Sequence, residues 1–103
     1  VFTHHPLVKI NSKWIDRNMT ENSNLLIQLM LRHSNKSFAV FSGHVHQEFY
    51  KKINNIEFYT SPSTCYQFLG NSDEFSLDHK NTSGYRVISV HGNTLKTNVV
   101  RLK

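Results

Sequence analysis

Histidine is the residue in this chain best suited to do chemistry, and it occurs in two tight groups, His4-His5 and His44-Val45-His46 behind Gly43. Neutral imidazole is a good ligand for zinc, manganese or iron, and most unperturbed histidines carry a free lone pair at pH 7. In an extended segment residues i and i+2 point to the same side. His44 and His46 can then reach two adjacent metal positions, with Gly43 letting the backbone pass close by. Two metals about 3.5 to 4 Å apart can clamp a phosphoryl group. The spacing alone is weak evidence, because seven histidines in 103 residues give about half an H-x-H pair by chance. Their placement in the chain carries more.

Val1-Phe2-Thr3 reads as the end of a buried strand that runs into His4-His5-Pro6, where proline bars direct continuation into a helix. With no initiator Met and no cap, the chain is expected to be cut from something longer. Residues 7 to 19 read as irregular, anchored by Leu7, Trp14 and Ile15. Thr20-Glu21 then offers an N-cap and a first-turn acid. Leu25, Leu26, Leu29 and Met30 share one face at helical spacing, widened by Ile27 and Leu31, which predicts a largely buried helix ending near His33-Ser34-Asn35. Phe38-Ala39-Val40-Phe41 is a continuous apolar run of strand length, typical of a parallel strand covered on both faces. Strand, helix, strand is a βαβ unit. It puts His4 and His44 after the C-terminal ends of neighbouring strands, the edge at which open α/β sheets bind ligands.

After Gly43 the period becomes two. Phe49 to Ile53 and Ile56 to Thr60 flank Asn54-Asn55, a hairpin signature, and Tyr85 to Val90 with Leu95 to Val100 flank Gly92-Asn93 in the same way. Residues 61 to 83 form a long connection with one alternating piece around Phe75 and Leu77, longer than a compact domain needs unless the loop borders a site.

Composition narrows the class. A hydrophobic content of 38%, an aromatic content of 12% and two prolines describe a globular chain rather than a disordered one. The single Cys65 excludes an internal disulfide and any cysteine-rich zinc finger, and is read as a small buried residue. No apolar run approaches the roughly 18 residues of a membrane span, so no membrane partner and a cytoplasmic location are expected. The formal charge of +5 favours anions. The basic residues are scattered, however, with Lys51-Lys52 the one doublet, so no nucleic-acid partner is expected. Asp16, Glu48, Asp73, Glu74 and Asp78 are equally scattered, and none stands beside the histidines as the bridging carboxylate that a two-metal site requires.

Phe2-Thr3-His4-His5-Pro6 and Ser42-Gly43-His44-Val45-His46-Gln47-Glu48-Phe49 resemble the two later metal-binding motifs of the calcineurin-like metallophosphoesterases. Ser12-Lys13-Trp14-Ile15-Asp16 and Ser61-Pro62-Ser63-Thr64-Cys65-Tyr66-Gln67-Phe68 extend the likeness to the bacterial class III 3′,5′-cyclic-AMP phosphodiesterases of the Icc type, along nearly all of the chain. The resemblance implies an α/β fold that is the C-terminal half of a four-layer αββα sandwich, with a mixed sheet, one main helix and β-hairpins. Residues 1–103 would be a single fragment of that domain, lacking its N-terminal part. It implies two divalent metal ions (iron, manganese or zinc), with His4 and His44 on the second and His46 on the first. His5 would lie beside the site near the phosphate as its catalytic residue, and Thr64 and Cys65 would line the nucleotide side. Cyclic AMP would be the substrate and the absent N-terminal half of the same enzyme the partner. The family's Asp-x-His, Gly-Asp and Gly-Asn-His motifs are missing, so the chain is expected to be inactive alone and prone to self-association.

Two other readings stand beside this one. A non-catalytic zinc site could be built from His4, His44 and His46, and a basic nucleic-acid module would announce itself by salt-sensitive binding.

Overall fold

A computed structural model describes residues 1–103. The first sheet contains β1 (Phe2–Thr3), β2 (Phe38–Ser42), β3 (Phe49–Ile53) and β4 (Ile56–Thr60) in the spatial order β1-β2-β4-β3. β1, β2 and β4 run parallel, and β3 is antiparallel to β4. The apolar run at Phe38 forms the expected strand, and the Asn54-Asn55 hairpin forms with Ile53 opposite Ile56. The second arm of that hairpin, not the first, lies against β2. β4 presents Ile56, Phe58 and Thr60 to the interior, whereas β3 exposes Tyr50, Lys51 and Lys52. Edge strands carrying lysine resist further pairing, so the apolar arm takes the inner place.

Between β1 and β2 the chain makes α1 (Lys13–Asp16) and α2 (Ser23–Leu31). The four-residue α1 lies within the segment expected to be irregular. The Asp16 carboxylate accepts the Ile10 N–H at 2.8 Å and holds this turn against the preceding loop. α2 begins two residues later than Thr20-Glu21 predicts. Asn22, in a left-handed conformation, occupies the N-cap, and the Thr20 carbonyl accepts the Ser23 N–H instead. The helix is also less buried than its leucine spacing predicts. Met30 is enclosed, but Leu25 and Leu29 are 71% and 52% exposed. The sheet beneath is narrow, and one stripe of the helix covers it.

That stripe closes the main core, where Leu7, Val8, Met30, Val40, Ile56 and Phe58 pack with Leu26, Ile27 and Leu31 at its rim. Ile10, Ile15 and Val45 form a second cluster. β1 pairs with β2 as expected, yet Phe2 is 76% exposed, because no further strand covers this edge. On the opposite face of the sheet Phe2, Phe41 and Tyr59 stack in a row, with centroids 5.5 and 5.1 Å apart.

The long connection contains a short pair, β5 (Gln67–Phe68) with β6 (Leu77–Asp78), and the chain closes with the ribbon β7 (Gly84–His91) and β8 (Thr94–Arg101). The Arg86 guanidinium ties the ribbon to the sheet. It donates to the Thr60 carbonyl and lies 5.1 Å from the Tyr59 ring centre. At Gly84 a Cβ would come within 2.6 Å of the Val100 carbonyl oxygen, so only glycine lets the ribbon close there. No helix is long and apolar enough to cross a membrane.

Candidate metal centre at the strand tips

The tips of β1 and β2 are joined by side chains as well as by backbone. The Thr3 hydroxyl donates to the His5 carbonyl at 2.8 Å, so the Ser42 hydroxyl supplies the hydrogen in the 2.8 Å bond between Thr3 and Ser42. One residue on, the Gly43 N–H donates to the His4 carbonyl at 3.1 Å. Thr20 adds a second hydroxyl on the His5 carbonyl. These bonds hold residues 4–5 beside residues 43–44.

The histidine rings follow. The His4 and His44 centroids are 5.2 Å apart, those of His5 and His44 4.3 Å, and those of His4 and His5 4.9 Å. One ring nitrogen from each of these three residues lies within 4.8 Å of the others. Small side-chain rotations would bring such a set onto one ion at the roughly 2.0 to 2.1 Å that zinc–imidazole bonds require. The donor chemistry fits as well. Burial, followed by the neighbouring charges of His5, His4 and His46, holds the His44 pKa below its ordinary value. The neutral, ligating form is thereby favoured at neutral pH. A divalent cation would relieve the crowding of three imidazoles in one place.

His46 stands outside this group. Its Nδ1 is 3.1 Å from the Tyr66 carbonyl oxygen. Because a carbonyl can only accept, Nδ1 must carry the hydrogen, which leaves Nε2 with the free lone pair. The ring stacks on Phe68 with centroids 4.2 Å apart and planes 5° from parallel. Burial holds the His46 pKa down; the bond to Tyr66 works the other way, and the charge on His4 lowers it further.

The route by which His44 and His46 reach their positions differs from the extended geometry predicted above. Both have left-handed backbone, with φ of 65° and 49°, on either side of Val45, which is 0% exposed. The segment is a turn anchored by Val45 in the second core cluster, and it throws both imidazoles outward. Non-glycine residues seldom adopt this conformation, and when they do it is commonly at functional sites. Gly43 is not needed for close approach, since a Cβ there would meet His4 at no less than 4.0 Å.

No carboxylate joins the histidines. Asp16 is bound to Ile10, Glu48 pairs with Arg101 at 3.2 Å, and Asp73 with Lys13 at 3.3 Å. Asp78 accepts from Lys80 and Asn81.

Thr64 and Cys65 lie on the exposed loop before β5. The expectation of a buried cysteine fails: the thiol is free and exposed, and the main chain rather than the side chain ties it down. The Cys65 N–H donates to the Ser63 hydroxyl, and its carbonyl accepts from Ser83. The next residue, Tyr66, is the one that reaches His46. A polar cleft of about 220 Å³ opens beside His46, lined among others by Gln47, Gln67, Asp78 and Arg101. The contribution of Tyr66 and Phe68 is visible in the sequence only as two aromatics at alternate positions in the long connection. His33, His79 and His91 are exposed, and His91 ends β7 beside the Gly92-Asn93 turn.

No family model matches the chain. It is, however, similar to several bacterial proteins. It is 36% identical over 100 residues to a 3′,5′-cyclic-nucleotide phosphodiesterase of Nostoc, covering 96% of this chain and 37% of that protein. It is 39% identical over 101 residues to a probable cyclic nucleotide phosphodiesterase of Psychrobacter, covering 97% of this chain and 29% of the relative. It is 34% identical over 104 residues to the 3′,5′-cyclic adenosine monophosphate phosphodiesterase CpdA of Haemophilus influenzae, covering 100% of this chain and 37% of the relative. The chain thus spans about a third of the length of these relatives. The chain is homologous along nearly its whole length to one segment of these bacterial cyclic nucleotide phosphodiesterases.

Proposed function

We propose that this chain is the C-terminal part of a metal-dependent 3′,5′-cyclic-nucleotide phosphodiesterase, acting on cyclic AMP, and that it supplies the histidine half of a dinuclear metal site. The observation that carries this reading is the convergence of His4, His5 and His44 from two neighbouring strand tips in a chain homologous to proteins of that name. In this reading His4 and His44 hold one ion and His46, through Nε2, the other. Two divalent ions (iron, manganese or zinc) would supply Lewis acidity toward the phosphate oxygens and the hydrolytic water. His5, which lies beside His4 and His44, would contact the phosphate. Thr64 and Cys65 border the nucleotide. The bridging carboxylate comes from the part of the enzyme beyond this chain, which is why the chain alone is inactive. The mixed sheet then belongs to one side of a four-layer αββα sandwich, and residues 1–103 form a fragment of that single domain.

The test is to join the chain to the remaining two thirds of a relative such as the Nostoc protein and assay cyclic-AMP hydrolysis with added manganese. Activity is expected in the wild type and is expected to vanish in His44→Ala and His46→Ala. Equal activity in all three would sink the reading.

A second reading has one specific observation in its favour. The ring nitrogens that converge belong to His4, His5 and His44, so a single zinc site would take His5 in place of the His46 expected above and would need a fourth ligand to close it. One tightly held ion per joined protein, with no second site, would select that reading.

A further inference from the structure

We propose that Phe68 is a positioning residue for His46, fixing both the plane of its imidazole and which nitrogen is left free. This rests on the reading of His46 as a ligand, but its main test does not. Two contacts act on the ring. The Tyr66 carbonyl takes the Nδ1 hydrogen at 3.1 Å, and the Phe68 ring lies flat beneath at 4.2 Å. The stack holds the imidazole in the plane in which Nδ1–H meets the Tyr66 carbonyl, and a half-turn about Cβ–Cγ would restore the stack but forfeit that hydrogen bond. Nδ1 therefore stays at Tyr66 and Nε2 stays bare. Free neutral histidine prefers the opposite tautomer, with the hydrogen on Nε2, so the protein selects the less favoured form. Outer contacts of this kind orient metal-ligating histidines generally.

Phe68 is itself held from two sides. Trp14 of α1 meets it edge-on at 4.9 Å and Phe75 at 5.5 Å, while Trp14 also contacts Phe75 at 5.3 Å. The Lys13–Asp73 ion pair spans the same junction. An aromatic cluster built from α1 and the 61–83 connection thus serves as a platform for one imidazole of the strand-tip turn. This gives the long connection a specific task at the site.

The test is a long-range proton–nitrogen correlation spectrum of the full chain at a pH where its imidazoles are neutral. In the wild type His46 is expected to carry its hydrogen on Nδ1. Phe68→Leu, which removes the flat face but leaves the Tyr66 carbonyl, is expected to move most of the population to the Nε2–H form. Phe68→Tyr is expected to keep the wild-type pattern. A wild-type His46 protonated on Nε2 would overturn the inference, as would an unchanged tautomer in a folded Phe68→Leu chain. Should that variant lose its amide dispersion, Phe68→Met takes its place, keeping the bulk without the flat ring. In the joined enzyme Phe68→Leu is expected to lower kcat/KM by about 10 to 100-fold, with Phe68→Tyr near wild type. If the joined wild type is inert, the phosphodiesterase reading fails while the tautomer result still decides the role of Phe68.

Discussion

At the residue scale, His46 and Tyr50 show how one hydrogen bond fixes a protonation state. For His46 the Tyr66 carbonyl dictates the tautomer. For Tyr50 a carboxylate dictates the charge: its hydroxyl donates to Glu57 at 2.7 Å across the β3–β4 pair, and that bond pushes its pKa from 10.0 up to about 12. A raised pKa in the folded chain means that folding favours the protonated phenol. The resulting stabilisation is complete below pH 10 and is lost as pH rises through about 12. Tyrosinate absorbance is expected to show Tyr50 titrating at about 12, with burial also holding Tyr59 above an ordinary phenol, and Tyr50 returning toward 10 in Glu57→Gln. A wild-type Tyr50 that titrates at 10 would contradict the prediction.

At the element scale, Asn55 joins the hairpin to the helix. Its side-chain amide lies 3.2, 3.1 and 2.8 Å from the carbonyl oxygens of Met30, His33 and Lys36. These belong to the end of α2 and the turn that follows it, where the Met30 and His33 carbonyls also accept the His33 and Lys36 N–H groups. One tight-turn residue therefore caps a helix and sets where β4 meets it. Asn55→Ala is expected to destabilise the chain by about 1 to 3 kcal/mol, read as a lower urea midpoint. Asn55→Asp keeps the shape but faces a carboxylate to three carbonyls, so it should be at least as harmful. By contrast Asn54, at φ 49°, only needs the left-handed conformation. Asn54→Gly should be nearly silent.

At the scale of the whole molecule, apolar surface remains uncovered on two sides. Leu25 and Leu29 project from α2, and Phe2 stands open on the edge strand. Burying such side chains is worth about 1.5 to 3 kcal/mol each, which favours association of copies of the isolated chain. Light scattering is expected to show mass increasing with concentration, and Leu25→Lys with Leu29→Lys should reduce it. A clean monomer at high concentration would count against this.

The sequence by itself determined the longer strands and the main helix, though not α1 or β5, because periods of two and 3.6 are local properties of side-chain order. The Asn-Asn turn, the βαβ unit and the meeting of His4 with His44 at its strand tips were legible for that reason. The burial of Leu25 and Leu29 was not, since a helical stripe shows what could be covered and only the width of the sheet decides what is. Nor did spacing reveal that His44 and His46 flank a left-handed turn, or that Asn55 would reach three carbonyls. The grouping of the rings depended on contacts between residues far apart in the chain. His46 stacks on Phe68, which belongs to β5 and follows it by 22 residues, and only tertiary packing could bring the two together.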